Sequence, residues 1–238
     1  MRSQASLAGV TVPTAQDHIA VELGTARALF TTRRGGVSGG PYDSLNLGRL
    51  TGDDDANVDT NRERLAQSLG VGWERVRWAR QVHGTDVSRG EREEADAQIV
   101  EEPGVPALVF VADCLPIAIA APTRAAMVHA GWRPLAGGIL TKAVAELGDG
   151  PRRAVIGPGI GPCCYEVGDD VRERFPPEAH HGRRLDLKLA ARRALEAAGV
   201  ERIDDVGLCT ACHPELFFSH RRDRGVTGRQ AGLVWLRG

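Results

Sequence analysis

Three residues of types that bind metals or act as nucleophiles fall at the ends of separate strand-like runs. They are His83 in RQVHGTDV (80–87), Cys114 in ADCLPIAI (112–119) and His129 in MVHAGW (127–132). Side chains at the ends of neighbouring strands can converge even when they lie far apart in sequence. Two imidazoles and a thiolate suit Zn²⁺ in a tetrahedral shell, and three protein ligands leave the fourth position to water or substrate. The same donors accept copper. The separations match no short zinc motif, so two other readings stand beside the metal. Cys114 is a nucleophile with His129 as its base, or an inert buried thiol beside two satisfied strand-end histidines.

Arginine is the second source of chemistry. Every basic residue except Lys142 and Lys188 is an arginine. Arg33 precedes Gly35 and Gly36, while Arg221 and Arg222 precede the turn TGR (227–229), which ends in Arg229. A guanidinium beside pliable backbone suits capture of phosphate or carboxylate, against the ordinary reading of solvated surface charge. Cys163 and Cys164 are neighbours whose side chains are expected to point differently; they read as structural burial, with one of them as a ligand or nucleophile the alternative. His180 and His181, in a Pro-, Glu- and Arg-rich stretch, read as surface. CTACH (209–213) has the spacing of c-type haem attachment, but that chemistry follows export. GPGIGP (157–162) lacks the third glycine of a dinucleotide fingerprint, and no P-loop occurs.

The elements that must position these residues are short. Strands are expected at 76–82, 95–100, 107–113, 116–121, 125–131, 153–161, 205–210, 216–221 and 229–236. Helices are expected from Asp54 to Leu69, capped by aspartate, from Arg133 to Leu147, and from Asp186 to Ala198. Several strands are joined by turns too short for a crossover helix. The expectation is therefore an α/β or α+β domain with mixed sheets, a single domain over 1–238.

With 238 residues, 42% apolar and 26% charged, the chain has the composition of a globular protein with a sizeable core. A formal net charge of −1 argues against nucleic-acid or membrane partners engaged through bulk charge. The N-terminal MRSQASLAGVTVPTAQ holds no apolar run of signal-peptide length, and the apolar stretch 105–122 is interrupted by Asp113 and prolines. An odd number of cysteines, bunched together, does not look like a disulfide framework. A cytoplasmic location is expected.

Taken together, TTRRGGVSGGPYDSLNLG, RQVHGTDV, ADAQIV, ADCLPIAI, VHAGWRPLAGG, IGPGIGPCCYEVG, LDLK and CTACHPELFFSHRRDRGVTGRQA resemble the YfiH-like family. That family is also called the laccase-domain or polyphenol oxidase family, and the peptidoglycan editing factor. The blocks cover a core of about residues 28–233. The resemblance implies a four-layer α/β/β/α domain, similar in outline to the catalytic domain of cytotoxic necrotizing factors. It implies a Zn²⁺ (or copper) held by His83, Cys114 and His129. It also implies phosphorolysis of adenosine, inosine and S-methyl-5′-thioadenosine, together with deamination of adenosine. The small-molecule partners are then nucleosides and phosphate. Cys114, His129, Arg33 and Asn46 are the catalytic candidates, with Arg33, Asn46 and Arg222 as substrate binders; Asp113 is the one candidate proton shuttle for deamination. The family's other labels imply a Cys–His amide hydrolase editing peptidoglycan precursors, or a copper phenol oxidase. CTACH departs from the family in carrying Ala211 and His213 where relatives often have an aromatic residue and Asn.

Overall fold

The structure, a computed structural model, describes residues 10–11, 18–90 and 93–238. Most of the N-terminal segment read above for an export signal lies outside them. Among the described residues the chain forms a mixed α/β domain with two six-stranded sheets and a small two-stranded hairpin. The first sheet runs Val10–Thr11, His18–Leu23, Ala26–Thr31, Gln230–Leu236, Ala107–Val111, Arg77–Trp78. The second runs Arg202–Asp205, Arg153–Ile156, Leu115–Ala120, Ala125–Ala130, Ala97–Val100, Val87–Ser88. Both mix parallel and antiparallel pairings.

Packing follows from which strand faces are apolar. One core cluster joins Val21, Ala28, Phe30 and Val109 of the first sheet to Ala118, Met127 and Val155 of the second. On its other face the second sheet contributes Ile117, Ile119 and Val128 to a cluster with Leu140, Val144, Ala191 and Leu195 from helices Ile139–Glu146 and Leu187–Ala197. The first sheet's other face packs Leu29, Leu108 and Leu233 against Leu65 and Ala66 of helix Asp55–Ser68. That helix starts where the sequence indicates, with the Asp54 carboxylate accepting from the Ala56 amide. The Asp186 carboxylate likewise caps the 187–197 helix through the Leu189 amide.

Several expectations are corrected. The helix expected over Arg133–Leu147 is two helices, Trp132–Ala136 and Ile139–Glu146, because Gly138 takes a left-handed conformation (φ +85°) between them. The run LFFSHR is not a strand: the Leu216 and Phe217 amides turn back onto His213 O at 3.1 and 2.9 Å, and Phe217 and Phe218 are both fully buried. Instead the Gln230 side chain pairs with the Phe218 backbone, accepting from its N–H at 2.9 Å and donating to its carbonyl at 3.2 Å. The strand expected at 205–210 lies earlier, at Arg202–Asp205. Strands His18–Leu23 and Ala26–Thr31 were not anticipated, although HIAVEL alternates half-buried or exposed residues with buried ones.

The two sheets touch closely at Gly232, where a Cβ would sit 2.5 Å from both Met127 Cε and Pro116 Cβ of the opposite sheet. Gly232→Val is therefore expected to overpack the interface and cost about 1–3 kcal/mol, read as a lowered urea midpoint at unchanged slope. A midpoint equal to wild type contradicts this packing.

Candidate metal centre and active site

Strand register brings Cys114 and His129 together. Leu115–Ala120 and Ala125–Ala130 form an antiparallel hairpin in which Leu115 pairs with Ala130 and Pro116 with His129. Cys114, one residue before the first strand, thus faces Gly131, one residue after the second. A Cβ on Gly131 would lie 2.9 Å from Cys114 Sγ and 3.2 Å from His83 Cδ2, so the position needs glycine to admit both side chains.

His83 arrives from elsewhere. It sits on the loop between Arg77–Trp78 in the first sheet and Val87–Ser88 in the second, with φ +57°. Asp96 holds that unusual backbone. Its carboxylate accepts the N–H groups of Val82 (3.1 Å), His83 (3.1 Å) and Gly84 (2.7 Å). The same carboxylate lies 2.7 Å from His129 Nδ1, and the Asp96 carbonyl accepts the His129 backbone N–H at 2.7 Å. Asp96 is fully buried and His129 nearly so, so one acid fixes both the loop and the imidazole. Burial alone would raise the Asp96 pKa; the hydrogen bond and charge of His129, with the backbone donors, bring it below the usual range.

The ligand atoms of His83, Cys114 and His129 all lie within 4.8 Å of one another, with His83 Nε2 at 3.9 Å from Cys114 Sγ. The His83 and His129 rings meet edge to face at 4.7 Å between centroids. With His129 Nδ1 engaged by Asp96, Nε2 is the nitrogen left for a ligand. The donor set fits a zinc ion, whose tetrahedral shell separates neighbouring N and S donors by about 3.5 Å. Asp96 is the outer-sphere carboxylate that orients a metal-binding histidine. His83 is exposed and His129 buried, so the open side of the cluster lies toward His83.

Without metal the same groups form an ion pair. Burial pushes the Cys114 thiol up, but the charge and hydrogen bond of His129, helped by His83, win and lower it to about 6. His129 is pulled down by burial and carried up to about 9 by Cys114 and Asp96.

The other expected residues are placed differently. Asn46 is completely buried, and its amide is used up: Nδ2 donates to Gly48 O, Thr51 Oγ1 and Asp53 Oδ2, and Oδ1 accepts from the Gly48 and Arg229 amides. Its polar atoms are thus engaged within the protein, and its Oδ1 positions the Arg229 backbone. Arg222 is tied to Asp223 through two 2.8 Å bonds and to the carbonyls of Thr210 and Phe217 at 3.0 Å. It too serves the scaffold. Asp113, at φ +88°, accepts the Thr210 hydroxyl (2.6 Å) and the Arg221 amide (2.7 Å), which makes it a brace for Cys114 rather than a free proton shuttle. Arg33 is half-buried over the Phe218 ring and donates to Asp43 O and Pro214 O; burial and then Arg222 lower its pKa.

Sequence reasoning missed Asp96 as a functional residue, although an acid heading the apolar strand AQIV was a visible signal. Arg229, which the sequence offered only as the end of the TGR turn, lies within electrostatic reach of the centre: burial lowers its pKa while the charges of Cys114 and Asp113 pull it back up.

Fold and site together define a mixed α/β protein built round a His–Cys–His centre. A family model described as multi-copper polyphenol oxidoreductase laccase matches residues 27–237. The chain is 42% identical over 228 residues to purine nucleoside phosphorylase YfiH of Escherichia coli K12, covering 88% of this chain and 93% of that one. It is 39% identical over 245 residues to purine nucleoside phosphorylase YlmD of Geobacillus stearothermophilus, covering 88% and 89%. Among solved structures, Neisseria meningitidis NMB0706 superposes with TM-score 0.86 at 37% identity, covering 94% of this chain and 100% of that one. YlmD of Geobacillus stearothermophilus gives 0.87 at 37% identity, covering 95% and 98%. The chain belongs to the YfiH/YlmD laccase-domain family.

Asp96→Asn is expected to weaken zinc binding at this centre about 10–100-fold, because the loop and the His129 ring lose their common anchor. Metal titration checks it, and an unchanged affinity contradicts the assignment. In metal-free protein, Cys114 alkylation is expected to rise with pH through about 6, as thiolate forms against His129, rather than through the ordinary 9.0. A pH series with iodoacetamide and peptide mapping reads this directly.

Proposed function

We propose that this protein is a metal-dependent purine nucleoside phosphorylase acting on adenosine, inosine and S-methyl-5′-thioadenosine, with adenosine deamination as a second activity. The observation that carries the reading is the convergence of His83, Cys114 and His129 under a shared Asp96 anchor. The names of relatives about 40% identical over most of the chain supply the reaction class. We take the domain to be a single four-layer α/β/β/α unit. Its five free thiols fit a reducing, cytoplasmic compartment, and no helix among the described residues is long and apolar enough to cross a membrane.

His83, Cys114 and His129 would hold the ion. Zinc bound there supplies a Lewis acid that polarises an oxygen of phosphate or substrate. In phosphorolysis a phosphate oxygen forms a bond to C1′ as the C1′–N9 bond breaks, and the electron pair leaves with the purine. Positive charge grows on the ribose and negative charge on the base, so fixing phosphate against the sugar lowers the barrier. Arg33 donates through Nε and Nη1 to Asp43 O and Pro214 O, and Arg229 through Nη1 to Thr227 O and Gly228 O; each keeps further guanidinium N–H groups, and these are the residues we assign to phosphate. Tyr165 lies close enough for the charges of Cys114 and Asp113 to affect it. Burial, then Cys114, pushes its phenol up to about 12, so it stays a hydrogen-bond donor to the purine or ribose.

One observation favours a second reading. Asp96, His129 and Cys114 stand in the order orienter, base, nucleophile, the arrangement of a Cys–His amide hydrolase acting on a peptidoglycan precursor. There the Cys114 sulfur attacks the amide carbon and His129 passes the proton to the leaving amine. A zinc-held thiolate is a poor free nucleophile, so metal dependence separates the two. The copper phenol-oxidase reading is weaker, since reducing O₂ to water needs several electrons. Among the described residues no second His-containing cluster accompanies this centre.

With adenosine and phosphate, the zinc-loaded protein is expected to release adenine and ribose 1-phosphate. Cys114→Ala is expected to lose at least about 100-fold in kcat/KM, and Arg229→Ala to raise the phosphate KM about tenfold. Chromatographic product analysis checks all three. No nucleoside turnover, from a metal-free protein whose Cys114 is readily alkylated, favours the hydrolase.

A further inference from the structure

The proposed chemistry uses one cysteine and leaves four. Cys163, Cys164, Cys209 and Cys212 come from two separate loops, yet their sulfur atoms all lie within 4.8 Å of one another. Cys212 Sγ is 3.4 Å from both Cys163 Sγ and Cys164 Sγ. All four are free thiols, at separations far beyond the about 2.05 Å of a disulfide.

The adjacent cysteines were expected to point differently and to be buried. Instead Cys163 is exposed, Cys164 half-buried, and both reach the same partner. The reason is a tight turn in which the Cys164 and Tyr165 amides both donate to Gly161 O at 3.0 Å. Successive side chains on such a turn do not alternate as they do on a strand. Opposite them, Cys209 and Cys212 sit on a second turn closed by the Cys212 N–H on Cys209 O. Cys209 Sγ accepts the Gly161 N–H at 3.2 Å, the kind of backbone bond that supports a thiolate.

Four sulfurs around a zinc ion with Zn–S of about 2.3 Å stand about 3.8 Å apart, close to the spacing here. A Cys-x-x-Cys pair is a common half of such a site, and soft all-sulfur donors in a tetrahedral set select zinc. Filled, the site carries a net negative charge. The surface depression that contains Cys163 is also lined by His181, Arg183, Arg184 and Glu166, the last ion-paired to Arg183 at 3.2 Å.

We propose that Cys163, Cys164, Cys209 and Cys212 form a second, structural zinc site, separate from the His83–Cys114–His129 centre. It ties the 157–164 loop to the 206–213 loop directly behind the reactive cysteine. Gly159 bridges Cys209, the Thr210 amide donates to Gly159 O, and the Ile160 amide donates to Asp113 O. The Thr210 hydroxyl holds the Asp113 carboxylate. The tetrathiolate therefore stiffens the support on which Cys114 is presented.

The test is zinc content of protein purified without a metal-affinity tag under reducing conditions, followed by Co²⁺ substitution. Wild type is expected to bind two equivalents per chain, and Cys114→Ala and Cys212→Ser to bind one each. The ion kept by Cys114→Ala should give the intense thiolate charge-transfer spectrum of a four-sulfur Co²⁺ centre. Should Cys212→Ser fail to fold, Cys114→Ala alone decides. Zinc-free Cys114→Ala with four titratable thiols overturns the proposal, as does a disulfide among these cysteines detected by mass spectrometry.

Discussion

The carboxylate of Asp96 is the interaction on which the candidate site depends. Three consecutive backbone N–H groups and one imidazole converge on it in a buried position. Removing a buried charge from its partners costs several kcal/mol, so the arrangement persists only because every partner is in place. Take Asp96 away and nothing remains to hold His83 at a positive φ or to fix which nitrogen of His129 faces Cys114. The strand Ala97–Val100, paired in register with Ala125–Ala130, delivers the acid to that spot.

Around this anchor the fold is arranged to make distant residues neighbours. A hairpin register places Cys114 opposite Gly131, and the crossing loop between sheets supplies His83. On the far side, Asp113 is gripped by Thr210 and Arg221, so both residues flanking the bend before Leu115 are fixed. Cys114 and His129 thus stand at strand ends and His83 on the crossing loop, with buried hydrogen bonds setting their geometry. Positive φ at both His83 and Asp113 is the local backbone cost of that convergence.

Much of this was legible in the sequence, and the illegible parts have physical reasons. His83, Cys114 and His129 were visible because soft donors at strand ends are conspicuous. Their mutual distance depended on register, which spacing does not encode. Asn46 and Arg222 were offered as substrate contacts by the family resemblance. The Asn46 amide is engaged within its own turn, and four of the five Arg222 guanidinium N–H groups bond Asp223, Thr210 and Phe217. Asp96 escaped notice as a functional group because its role is to accept from backbone amides, which any sequence possesses. The helix from Arg133 was drawn through Gly137–Gly138 because apolar periodicity continues across the break. LFFSHR mimicked a strand because its aromatic residues favour one, though it forms a loop that borrows the Gln230 side chain as its pairing partner. The four-cysteine cluster was hidden for a similar reason: two turns, not two strands, set its side-chain directions.

The most direct test of the account is anomalous diffraction at the zinc edge from crystals grown with zinc and phosphate. The expected result is a peak bonded to His83 Nε2, Cys114 Sγ and His129 Nε2, with a phosphate oxygen completing the shell and Asp96 retained on His129 Nδ1. A zinc-loaded crystal with no peak there and a free Cys114 thiol paired to His129 would contradict it.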